Sequence, residues 1–323
     1  MTSVAIPSVI PAVITPRLTL LLLPVVCLVC LALGLAGDGV GNLSTDVWLQ
    51  LRLPRVLLAA FTGAALALAG LLLQDYFRNP LVEPGLLGIS AGAGLAAVIV
   101  ISLGLGGLWI LPVSAFAGAL GALGLVLLLG KYLTGNNAEL LLAGVAINAL
   151  AGALVNLLLS LGDGAVLRSA TFWLMGSFSL AEWPLLITGW VVLVFILAWA
   201  WRQAAALDVW QLGESEAVYL GIDINRFRRR IITATSVLVA LAVAQSGGIG
   251  FIGLLAPHMA RRLGFTHHRT LLPATLYLGI ILAVLADWMA RRLIYPLELP
   301  VGVLTALIGA PAFLLLFLKR ARA

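Results

Sequence analysis

At 323 residues the chain is 62% hydrophobic and only 10% charged, where a soluble domain carries about a quarter charged residues. That balance excludes a soluble enzyme, and the net charge of +6 belongs to membrane topology, not to a nucleic-acid partner. Segments in hydrocarbon must satisfy their own backbone groups, and the apolar runs lack the alternation of a barrel strand, so an all-α polytopic membrane protein is expected.

Ten apolar runs follow in order, over residues 18–36, 56–76, 85–103, 111–132, 139–161, 184–202, 231–246, 250–263, 271–290 and 301–318. The first, opening after Arg17 and ending in small residues near Gly34, has the form of a cleavable leader, but the topology count that follows argues for a retained first span. With the N-terminus in the cytoplasm, most of the Lys and Arg residues fall inside. Only Arg52, Arg55, Arg168, Arg291 and Arg292 fall outside, which satisfies the positive-inside rule and keeps both termini cytoplasmic. Cys27 and Cys30 have the spacing of a redox pair, but a thiol in lipid has no route to a thiolate, so they pack. Small residues recur at helical spacing (Gly63 and Gly70; Gly85, Gly88, Gly92 and Gly94; Gly118, Gly121 and Gly124), which predicts close helix packing. Trp199, Trp201 and Trp210 are expected at the inner membrane boundary, and a short surface helix over residues 169–179 at the outer one. Gly85-Leu-Leu-Gly88 and Gly250-Phe-Ile-Gly253, each after a break and five spans apart, carry the spacing of an inverted repeat.

Residues 207–230 are the long polar interruption. Gly213 and Gly221 divide it, Glu214 to Leu220 can form two helical turns with acids at the start, and Arg226, Arg228, Arg229 and Arg230 close it. It is either a solvated loop with topogenic charge or a docking element for a cytoplasmic partner.

The chemistry-bearing residues are few. A nucleotide-binding loop fails between Gly124 and Tyr132, where the spacing is one residue too long and Tyr132 replaces the magnesium-binding hydroxyl, so the chain does not hydrolyse ATP itself. Asp287 is a deep acid four residues before Arg291, the spacing of an intrahelical ion pair. His267 and His268 are adjacent and point apart on a helix, and His258 follows Pro257; neither pattern makes a metal site. Arg52 and Arg55 share a face at the start of the second span against the topogenic bias. They suit an acidic partner, an anionic solute, or lipid phosphate reached by snorkelling.

Taken together, Arg52-Leu-Pro-Arg55, Asn79-Pro-Leu-Val-Glu-Pro-Gly85, Gly88-Ile-Ser-Ala-Gly92, Phe172-Trp-Leu-Met-Gly-Ser177, Gly250-Phe-Ile-Gly-Leu-Leu-Ala-Pro-His258 and the run from Glu298 to Pro311 resemble the FecCD-type permeases. These are the membrane subunits of ABC importers for iron–siderophore, haem and cobalamin. The resemblance runs from about residue 45 onward and implies one permease domain over 1–323, with a cytoplasmic tail at 1–17 and a coupling loop at 207–230 between helices six and seven. It further implies a homodimer in the bacterial inner membrane, two cytoplasmic ABC ATPases that bind ATP and magnesium, and a periplasmic binding protein. No cofactor would bind this chain. By the resemblance, ATPase coupling falls on Leu212, Gly213, Glu214, Glu216, Ala217, Leu220, Gly221 and Arg226, and binding-protein docking on Arg52, Arg55 and Arg291. The pathway and gate fall on Gly88, Ser90, Gly92, Asn137 and Ala138, although Asn-Asn-Ala-Glu stands where some relatives carry small hydroxyl residues. The expected cargo is a ferric siderophore, with haem or cobalamin as the alternative. An ion-coupled secondary transporter would need midplane acids beyond Asp287, and a membrane redox enzyme would need paired axial ligands.

Overall fold

The computed structural model describes residues 16–35, 45–132 and 137–321. Every described apolar run is helical: α1 (Pro16–Leu35), α2 (Leu53–Phe77), α3 (Ile89–Ser102), α4 (Ile110–Tyr132), α5 (Asn137–Leu161), α6 (Gly164–Met175), α7 (Trp183–Arg202), α8 (Ala204–Leu212), α9 (Glu214–Tyr219), α10 (Ile224–Ser246), α11 (Ile252–Arg262), α12 (His268–Arg292) and α13 (Val301–Ala321). Among the described residues, six helical segments are long and apolar enough to cross a membrane, one of them Trp48–Phe77, which joins α2 to the π-helical turn Trp48–Arg52 before it. Helix α3 is a shorter apolar helix. At 1.5 Å per residue, the 11 residues of α11 reach only about half way through a bilayer core.

Helix α2 is the axis of the molecule, buried almost continuously from Leu58 to Tyr76. Its stretch Ala59-Ala60-Phe61-Thr62-Gly63-Ala64-Ala65 is nearly all small, which lets neighbours approach its backbone from several sides. Helix α12 crosses where Gly63 and Gly279 face each other: a Cβ on Gly63 would strike the carbonyl of Gly279 and stand 2.7 Å from the Ala283 methyl. Helix α11 crosses where Gly70 meets the backbone of Gly253. Helix α10 packs along a further side, and α1 lies over α12. A second crossing joins α3 to α4 through Gly92 and Gly118, with α5 beside both. Gly121 and Gly124, expected to serve the same purpose, meet nothing within 4 Å.

The two helix breaks lie against one another. After α2, Arg78 turns left-handed (φ 49), the Asn79 carboxamide accepts from the Leu81 N–H at 3.0 Å, and a 3-10 turn (Pro84–Leu87) leads through Gly88 (φ 80) into α3. Helix α11 likewise starts from a left-handed residue, Phe251 (φ 67), whose N–H donates to Glu83 Oε1 at 2.6 Å. The expected echo between the two Gly-x-x-Gly pairs is therefore one of geometry. The left-handed residue is the fourth position of the first motif and the second position of the other.

Two boundaries differ from the sequence expectation. Helix α6 begins at Gly164, because the Asp163 carboxylate caps it by accepting from the Ala165 and Val166 N–H groups at 3.0 and 2.8 Å, and it stops at Gly176. Helix α10 begins at Ile224, because Asp223 accepts from the Arg226 N–H at 3.0 Å, so the arginine cluster is helical and not loop.

Gly279→Val should lower thermal stability in detergent by about 1–3 kcal/mol, because the α2–α12 crossing has no room for a side chain. Gly121→Ala, with open space before it, should leave the melting temperature unchanged or slightly raised.

Candidate functional site

Polar groups gather at the two ends of α2 and in the segment that follows α7. At the N-terminal end, Arg55 is clamped from two sides. Its Nε and Nη2 each stand 3.0 Å from Asp287 Oδ1, and its Nη1 donates to Glu298 Oε2 at 3.0 Å. Arg291, one turn beyond Asp287 on α12, donates from Nε to Asp287 Oδ2 at 3.2 Å and from Nη2 to the Gly34 carbonyl of α1 at 2.9 Å. The intrahelical Asp287–Arg291 pair expected from spacing is therefore present, and Arg55 is added to it. Of the three arginines expected to meet an outside partner, Arg52 is half-buried, Arg55 shows 14% of its side chain, and Arg291 only 8%. Beside this cluster a cleft of about 710 Å³ opens, lined by Leu58, Phe172, Trp173, Glu182, Gln245 and Glu298.

At the C-terminal end of α2, Asp75 and Gln74 are buried. Arg261 on α11 reaches both, with Nη2 2.9 Å from Asp75 Oδ1 and Nη1 2.5 Å from Gln74 Oε1. His268, the first residue of α12, lies between Asp75 Oδ2 at 2.7 Å and Asp208 Oδ1 at 2.6 Å. Gln211 of α8 donates to Asp75 Oδ1 at 3.0 Å. Trp210, expected at the membrane boundary, is instead 1% exposed. Its ring stacks on Tyr76 and tilts against Phe227, the Arg78 guanidinium lies 5.7 Å from its centroid, and its indole N–H donates to the Tyr76 carbonyl at 3.2 Å. An indole facing lipid could not find all of these partners.

The segment after α7 forms a step. Helix α8 lays Ala204, Leu207 and Trp210 against the bundle. Gly213 then adopts φ 147, and α9 runs from Glu214 to Tyr219. A Schellman turn closes α9 at Gly221 (φ 84), with the Gly221 N–H on the Val218 carbonyl and the Ile222 N–H on the Ala217 carbonyl, both at 2.9 Å. Of the expected coupling residues, Ala217 faces inward and is buried, while Leu212, Glu214, Glu216, Leu220 and Gly221 are exposed. Arg226 is exposed and pairs with Asp223 at 3.7 Å. Val218 and Tyr219, which sequence reasoning passed over as contact residues, belong to the same face, Tyr219 at 90% exposure.

The expected pathway residues do not share one surface. Gly92 is taken up by the α3–α4 crossing, Gly88 packs against Ile147 of α5, and Ser90 lines a cavity of about 210 Å³ with Glu83, Val239 and Gly250. Burial pushes the Glu83 carboxyl above the usual carboxylate range, against the opposing pull of the Phe251 N–H. Ala138 is exposed at the start of α5, and the Asn137 side chain lies outside the described residues.

A family model described as the FecCD transport family matches residues 19–319. The hemin transport system permease protein HmuU of Yersinia pestis is 42% identical over 325 residues, covering 95% of this chain and 97% of that protein. The vitamin B12 import system permease protein BtuC of Salmonella typhimurium is 42% identical over 280 residues, covering 85% of this chain and 84% of that protein. A solved structure of a metal-chelate type ABC transporter in an inward-facing conformation superposes with a TM-score of 0.86 at 35% identity, over 94% of this chain and all of that one.

Removing Asp287 would take away the carboxylate that two largely covered guanidinium groups share. Asp287→Ala should therefore destabilise the protein by about 3–5 kcal/mol in thermal unfolding. Glu298→Gln, at a carboxylate that is half exposed, should change stability by less than about 1 kcal/mol.

Proposed function

The chain belongs to the FecCD transport family, and from that premise we propose that it is the membrane path by which an ABC importer carries a metal chelate into the bacterial cytoplasm. Its relatives are permease subunits, and ATP hydrolysis belongs to a separate subunit. The observation that carries the reading is the α9 step. Val218, Tyr219 and Leu220 are exposed apolar side chains on a short element set off by two left-handed glycines, with exposed Leu212 just before it and Glu214, Glu216 and Arg226 around them. A bare apolar tip in the most polar part of the chain suits a protein partner. The ATPase pair, which holds ATP and magnesium, is the partner this reading assigns.

The same reading places α9 and both termini in the cytoplasm of a cell with an inner membrane, and the Arg55 end outside. There Arg52 offers an accessible guanidinium to acidic residues of a periplasmic binding protein, while Arg55 and Arg291 brace the surface behind it. A second copy would cover the exposed leucines of α5, which include Leu142, Leu150, Leu157 and Leu161, and the pathway would run between the copies past Asn137 and Ala138. Two cargo readings are kept. The ferric siderophore is the one expected from the sequence. Hemin is favoured by the match along 97% of the HmuU permease, with vitamin B12 beside it.

Uptake by proteoliposomes holding this chain, its ATPase and its binding protein should require ATP, and competition among hemin, vitamin B12 and a ferric siderophore identifies the cargo. Uptake by this chain alone would sink the reading. Tyr219→Glu should weaken co-purification of the ATPase roughly tenfold, about 1.4 kcal/mol. Arg52→Glu should weaken binding-protein docking more at low than at high salt, because exposed charges are screened.

A further inference from the structure

The cluster at the C-terminal end of α2 has no part in the roles assigned so far. Its members come from four helices: Asp75 from α2, Asp208 from α8, Arg261 from α11 and His268 from α12. His268 and Asp75 are almost fully covered, and Asp208 is partly so. Ionised carboxylates only accept hydrogen bonds. A ring with carboxylate oxygens 2.6 and 2.7 Å from its two nitrogens therefore satisfies both only when each nitrogen carries a proton. An imidazolium and the Arg261 guanidinium then balance Asp75 and Asp208. His267 also faces Asp208, at 3.9 Å, but is exposed. A second tie fixes the register, because the His268 backbone N–H donates to Asp208 Oδ1 at 3.0 Å.

We propose that His268, held between Asp75 and Asp208, is a positioning residue that carries displacement of the α8–α9 step into α2 and α12. This rests on reading α9 as the ATPase-docking element. Two other polar ties of α8, from the Gln211 carboxamide to Asp75 Oδ1 at 3.0 Å and from the Trp210 indole N–H to the Tyr76 carbonyl at 3.2 Å, run to α2 and not to α12, and the rest is apolar packing. Leu207 and Trp210 pack through apolar and aromatic surfaces, which tolerate the small sliding of packed helices. Short charge-assisted hydrogen bonds in a covered site do not tolerate it. A push on α9 therefore arrives where Asp208 grips the first turn of α12, and through the ring it reaches the last turn of α2. Those two helices are themselves locked at Gly63 and Gly279, so they would move as one body.

The test uses the assembled permease and ATPase, with spin labels at exposed Tyr219 and, in a separate sample, at exposed Leu293 just beyond α12. Spectra are recorded without nucleotide and after trapping with ATP and vanadate. In the otherwise unaltered chain both labels should respond. In Asp208→Ala and in His268→Ala, the Tyr219 label should still respond and the Leu293 response should be lost. The double variant should be no worse than Asp208→Ala alone, because that substitution already removes both the ring contact and the backbone tie to His268. Asp208→Asn keeps an acceptor for both hydrogen bonds and should restore the Leu293 response, which separates positioning from simple misfolding. A normal Leu293 response in both alanine variants would overturn the proposal. So would loss of the Tyr219 response in them, since the cluster would then only hold the docking surface. No response at Tyr219 in the unaltered chain would instead remove the reading of α9, and the proposal with it.

Discussion

A charge inside an apolar bundle must be matched where it stands, and this requirement shapes the molecule at both ends of α2. Asp75 is cut off from water and Arg55 is largely so, and each has drawn partners from distant parts of the chain. At one end the arrangement is two guanidinium groups around Asp287, with Glu298 on the rim. At the other it is Asp75 and Asp208 around His268, with Arg261 closing the set. Between these ends α2 carries almost nothing but small and aliphatic residues, and its neighbours press against its backbone. The helix is thus an apolar rod with an ionic fitting at each tip.

The fittings also separate what is rigid from what can shift. Where glycine faces glycine, backbones are in contact, and even a methyl group has no room. Where Trp210 lies on Tyr76, flat faces meet and a single neutral hydrogen bond holds them. The α8–α9 step combines the two, an aromatic bearing with one ionic grip, and its outer tip is left bare. A motor subunit engaging that tip would act on α2 and α12 before any other part of the bundle.

Local rules read well from the sequence. The apolar runs became helices, Gly63 and Gly70 became helix crossings, and Asp287 found Arg291 because four residues is one helical turn. The family that the motifs suggested is matched over residues 19–319. What depends on distant partners was not legible. Nothing near Arg55 announces that Asp287 closes on it, and His268 looked inert because its carboxylates stand 60 and 193 positions away. Trp210 was misjudged for the same reason, since a tryptophan at a membrane boundary and one filed against Tyr76 have the same neighbours in sequence. The onset of α10 was obscured differently: four arginines depress hydropathy, while the cap at Asp223 sets the true start.

The separations in those contacts bear on biogenesis. Arg55 meets Asp287 from 232 positions away, Asp75 meets His268 from 193, and Glu83 meets Phe251 from 168. As the ribosome delivers the chain, α2 is inserted long before α11 and α12 exist, with its ionisable groups still unmatched in or beside lipid, an expensive state. The nascent amino-terminal half is therefore a waiting half, held at the insertion machinery or in a loose arrangement until the carboxy-terminal helices emerge. The ionic contacts of α2 can be completed only after the carboxy-terminal helices have been made.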